Sequence, residues 1–68
     1  MSTIPATRDN LLWVAQCHAR DVRVLIAESR WYTRRGAPKS AQMAADSAAH
    51  HARLAFRCTV AAVGDGSR

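Results

Sequence analysis

Glycine and proline are scarce in this chain. Its 68 residues include three glycines and two prolines, and neither type occurs from residue 6 to 35 or from 39 to 63. With so little glycine, no glycine-rich loop exists to cradle a phosphate. Aromatics are limited to Trp13, Trp31, Tyr32 and Phe56, too few for a thick core. Cysteine appears twice, as Cys17 and Cys58, outside any C-x-x-C redox pattern. The five acidic residues are scattered, which leaves no paired carboxylates for acid–base catalysis. No apolar run approaches the roughly 18–20 residues of a membrane span. The opening MSTIPATRDN lacks the basic segment followed by an apolar one that marks a secretory signal. The expected setting is the cytoplasm, with reduced thiols and no membrane partner.

What the chain does have is alanine and arginine. Hydrophobic residues make up 49% of it, which argues against wholesale disorder. Alanine dominates them and favours closely packed helices. A domain this short buries only about 60% of its unfolded surface. Such domains usually need a disulfide, a metal or a partner subunit. The net charge of +5 and pI of about 10.7 favour contact with something acidic. Nine of the ten basic residues are arginine, whose planar fork suits carboxylates and phosphates. A GC-rich coding genome accounts for the same bias.

The pattern predicts an all-α fold: one long antiparallel helical hairpin, in a single domain spanning residues 1–68. The first helix is expected over about 7–34, the turn over 35–39, the second helix over about 40–63 and a frayed tail over 64–68. Thr7 suits the N-cap and Asp9 the first turn. Leu12, Ala15, Ala19, Val22, Ile26 and Ser29 alternate three and four apart as a seam. Leu11, His18, Leu25 and Tyr32 widen one flank, and Trp13, Cys17, Val24 and Trp31 the other. Gly36 fits the left-handed residue that ends a helix. Pro38 then opens or precedes the second helix, with Ser40 as an alternative cap. In that helix Ala41, Ala45, Ala48, Ala52, Ala55, Thr59 and Ala62 form a seam of small groups that lets two axes approach closely. Gly64 is expected to stop the helix. The apolar arc of the first helix is too wide for one neighbour to cover. A homodimer forming a four-helix bundle is therefore expected.

If the hairpin folds about Gly36–Pro38, facing residue numbers add to about 73–76. That register puts Cys17 and Cys58 at similar heights. A disulfide there is conceivable, although a cytoplasmic protein more often keeps such cysteines as small buried hydrophobes. The same register sets His18 level with Arg57 and away from His50 and His51. His51 and Cys58 are about 10.5 Å apart along one helix. Tetrahedral zinc needs four ligands converging at about 2.0–2.3 Å, so neither a metal site nor a cofactor is expected. Asp46 and His50, four apart, read as a surface pair. Ser29, Ser40 and Ser47 lack a base and an orienting group, and a thin bundle lacks a concave pocket. No enzymatic activity is expected.

The remaining candidate is the tip, RWYTRRGAPK, residues 30–39, with four positive charges and no acid. Arg30, Trp31, Tyr32, Arg34, Arg35 and Lys39 are the expected partner-binding residues, because Trp, Tyr and Arg are enriched at binding hot spots. Arg34 and Arg35 also sit where the helix dipole favours cations. A basic tip with aromatics can equally stack bases and neutralise phosphates. A small nucleic-acid-binding protein is thus the alternative reading. No zinc finger, RNP motif or basic zipper is present, and the helices are too long for a helix-turn-helix.

In length, hairpin architecture and arginine- and alanine-rich composition the whole chain resembles small bacteriophage-encoded inhibitors of host proteins. More narrowly, it resembles the helical-hairpin quorum-sensing anti-activator of Pseudomonas phages. No specific motif carries the resemblance, and no residue role transfers with it. It implies a dimer that covers the DNA-binding region of a LuxR-type transcription factor, with a pilus-assembly ATPase as a second target.

Overall fold

The computed structural model describes residues 7–66. Two helices account for it: α1, Arg8–Arg34, and α2, Pro38–Gly66. They pack side by side as a hairpin measuring 49 × 29 × 13 Å. The expected hairpin is therefore present.

Local signals set most of the boundaries. Thr7 caps α1: it has extended backbone angles, and its hydroxyl accepts from the Asn10 N–H at 3.2 Å. Asp9 lies in the first turn, beside the positive end of the helix dipole. At the other end Gly36 has a φ of 73°, a conformation that side-chain-bearing residues rarely adopt. Around it the Ala37 N–H donates to the Tyr32 carbonyl at 2.9 Å, and the Gly36 N–H to the Thr33 carbonyl at 3.1 Å. This is a Schellman closure, which satisfies the carbonyls that the helix end would otherwise leave open.

Two boundaries differ from expectation. The turn occupies only 35–37, and α2 starts at Pro38, the earlier of the two expected starts, with the Ala41 N–H bonding back to the Ala37 carbonyl. Ser40 therefore lies inside the first turn rather than capping it. Gly64 does not stop the helix, which runs on to Gly66. Glycine costs only about 1 kcal/mol in a helix, so without a competing turn the helix continues. Ser67 and Arg68, the end of the expected tail, lie outside the described residues.

The short turn changes the register. Ser29 faces Ala41, donating its hydroxyl to the Ala41 carbonyl at 2.8 Å, and His18 faces His51. Facing numbers thus add to about 70, because the chain reverses at Arg35 rather than beyond Gly36. The contact seam is Leu11, Ala15, His18, Val22, Leu25, Ser29 and Tyr32 on α1. On α2 it is Ala41, Ala44, Ala48, His51, Ala55, Cys58 and Ala62. All of these are buried or half-buried. Four residues expected in the seam, Ile26, Ala45, Ala52 and Thr59, are instead exposed. The real seam steps three-four where the expected α2 seam stepped four-three. With Cys58 facing the neighbourhood of residue 12, it stands about five residues, or roughly 7.5 Å, from the level of Cys17. That offset removes the alignment a disulfide needs, and both cysteines are free.

The core is thin. Ala15, Ala41, Ala44, Ala48 and Ala62 are the buried residues, and no side chain larger than alanine is buried among the described residues. The large apolar side chains face out: Trp13, Val24, Ile26, Trp31, Met43, Phe56, Val60 and Val63 are all exposed. No helix among the described residues is long and apolar enough to cross a membrane.

Candidate functional site

The tip residues come from the last turn of α1 and the first of α2, joined by the Schellman turn. Successive helical residues point about 100° apart, so this cluster divides. Trp31, Tyr32 and Arg35 stay together. The Trp31 and Tyr32 rings meet edge-on, with centroids 5.2 Å apart. The Arg35 guanidinium lies 4.4 Å from the centre of the Trp31 ring, a cation–π contact worth roughly 0.5–1 kcal/mol at an exposed site. Arg35 thus has a structural task as well: its N–H closes the helix end on the Trp31 and Tyr32 carbonyls.

Trp31 keeps 45% of its surface exposed, whereas Tyr32 is half-buried. Tyr32 lines a groove between the helices with Leu25, Glu28, Ser40, Met43 and Ala44. Arg30 lines the groove on another side of the hairpin. Arg34 follows it by one turn and is exposed, as is Lys39 on α2. The tip is therefore a Trp31–Arg35 stack with basic side chains around it, and Tyr32 belongs as much to the packing as to the surface.

The groove beside Arg30 is lined by Val22, Ile26, Ala45, Ala48, Ala49 and Ala52, and Phe56 continues it along α2 beside Ala52. Small alanines form its floor, and Ile26 and Phe56 stand up at its edges, Phe56 with 70% of its surface exposed. The residues expected in the seam but found outside it (Ile26, Ala45 and Ala52) belong to this face. Periodicity detected their shared stripe and assigned it to the wrong partner.

Sequence reasoning missed a second cluster halfway along the hairpin. The Nδ1 atoms of His18 and His51 are 2.8 Å apart, and the ring centroids are 5.0 Å apart. Such a contact requires one ring to donate an N–H and the other to present a lone pair. The Asp21 carboxylate approaches to 3.8 Å from His51 Nδ1, too far for a hydrogen bond. The expectation that His18 stood level with Arg57 fails with the register that produced it. The available signal was the three-four spacing of Ala44, Ala48, His51 and Ala55. Alanine at neighbouring positions masked it. His50 turns away from the seam and is exposed. Asp46 takes its hydrogen bond from Gln42 rather than His50, with Gln42 Nε2 2.8 Å from Asp46 Oδ1.

No protein-family model, curated protein or solved structure matches the chain.

Proposed function

We propose that the chain is a small regulator that acts by binding. Two hairpins pair through the face carrying Ile26, Ala45, Ala49, Ala52 and Phe56 to make a four-helix bundle. The pair then covers a functional surface of another protein with ends bearing Trp31, Arg30 and Arg34. The observation that carries this reading is the inversion of the usual residue distribution: among the described residues only alanine is buried while eight large apolar side chains are exposed. Soluble monomers rarely leave extended apolar patches uncovered. A floor of alanines edged by larger side chains also suits an isologous contact, in which one copy's ridge enters the other's groove. At the tip, an exposed Trp held by a stacked arginine is a rigid anchor of the kind that dominates binding energy. The resemblance to phage anti-activators makes the DNA-binding region of a LuxR-type activator the first partner to test.

The test is capture from a bacterial lysate treated with nuclease, alongside light scattering on the purified chain. A dimer mass is expected, together with a retained protein partner. Trp31→Ala and Arg34→Ala should each lower capture about tenfold or more while helicity and dimer mass stay unchanged. Loss of helicity in these variants would make the tip structural. Capture that disappears with nuclease treatment would assign the arginines to nucleic acid.

A further inference from the structure

The cluster on the seam has the composition and convergence of a metal site. One ring nitrogen each from His18 and His51 and an Asp21 carboxylate oxygen all lie within 4.8 Å of one another, with the two Nδ1 atoms 2.8 Å apart. His18 and Asp21 are three apart on α1 and so share a face. An imidazole and a carboxylate at that spacing converge on metals in helical bundles. His51 arrives from α2, so the donor set spans both helices. Two imidazoles and one carboxylate suit borderline divalent ions such as zinc and cobalt. Calcium and magnesium require mostly oxygen.

We propose that His18, Asp21 and His51 bind one divalent transition-metal ion, of the zinc and cobalt class, which staples α1 to α2. Tetrahedral ligands at about 2.0–2.1 Å lie roughly 3.3 Å apart. The two nitrogens at 2.8 Å need to part by about half an ångström, the carboxylate at 3.8 Å from His51 needs to close by a similar amount, and its separation from His18, within 4.8 Å, by up to about 1.5 Å. The Asp21 side chain is exposed and can make that move by rotating about its own bonds. On binding, the ring that donates in the histidine pair shifts its proton from Nδ1 to Nε2, so both rings offer an Nδ1 lone pair. The side chains of His51 and Asp21 are 29% and 53% exposed, which leaves a solvent side for a fourth, water ligand. Because the ligands come from both helices, ion binding is coupled to hairpin formation. A hairpin in which every buried side chain among the described residues is alanine gains much from such a staple.

The experiment uses the full chain, stripped with chelator and titrated with zinc by calorimetry and with cobalt by absorption. Saturable binding of one ion per chain is expected. The melting temperature should rise by about 10 °C or more at free zinc 100 times Kd. Asp21→Asn, at an exposed position, should weaken binding about tenfold or more with the fold intact. His18→Gln and His51→Gln should abolish it. His50→Gln and a Cys17→Ser/Cys58→Ser double variant should bind as the parent does. Imidazole nitrogen NMR of the unaltered chain should show zinc moving the Nδ1 signals of His18 and His51 and leaving His50 in place. The proposal falls if no saturable binding appears up to about 100 µM zinc, or if affinity survives Asp21→Asn and His18→Gln. It also falls if affinity is lost in the His50 or cysteine variants.

Discussion

The seam between α1 and α2 and the outer faces of the same helices are built from opposite materials. Inside are Ala15, Ala41, Ala44, Ala48 and Ala62, all buried, with a histidine pair and one serine hydrogen bond. Outside are two tryptophans, a phenylalanine, a methionine and four branched aliphatics. An isolated globular domain would put its bulk inside. The difference shows two tasks kept apart: methyl groups bring the two axes close, while side chains with more area to bury lie where a second molecule can reach them.

Substitutions can break that division. The largest effect is expected from Ala48→Leu, which adds bulk to the middle of the seam and should cost about 1–3 kcal/mol through overpacking. The melting temperature of a chain this size falls about 4–8 °C per kcal/mol. Ala27→Leu, on the exposed back of α1, should stay within about 0.5 kcal/mol. If the two melt alike, the alanine seam is not close-packed. Phe56→Asp comes next. It should halve the mass seen by light scattering and remove the dependence of melting temperature on protein concentration. A dimer that survives it does not use this face. Ser29→Ala is the smallest of the three. Loss of the bond to the Ala41 carbonyl should cost about 0.5–1.5 kcal/mol, visible as a drop of a few degrees in the circular-dichroism melt. No change there would leave the seam to its apolar contacts and the histidine pair.

Helices, cap and turn were legible in the sequence because each rests on local chemistry: Thr7 at one end, Gly36 at the other, and uninterrupted helix formers between. Register was not legible, because it is a tertiary property. Alanine occurs at 41, 44, 45, 48, 49, 52 and 55, so methyl groups line almost every side of α2 and no single stripe stands out. The tip was legible as composition but not as geometry. Periodicity cannot show that Arg35 stacks on Trp31 or that Tyr32 turns toward the groove. The histidine cluster was hidden by the register error alone. A shift of six in the pairing sum moves His18 from the level of Arg57 to that of His51.

A row of methyl groups carries almost no information about alignment. Sliding α2 by one heptad against α1 would again set a small α2 residue against the α1 seam at most levels and lose little contact area. It would, however, bring His18 level with Ala44 or Cys58 and take Ser29 away from the Ala41 carbonyl. The few polar contacts in the seam therefore act as an address: they distinguish one alignment from its near-equivalents, as a single buried polar residue does in a coiled coil. Removing both, as in a Ser29→Ala/His18→Ala chain, would be felt first as loss of a unique structure and only second as loss of stability.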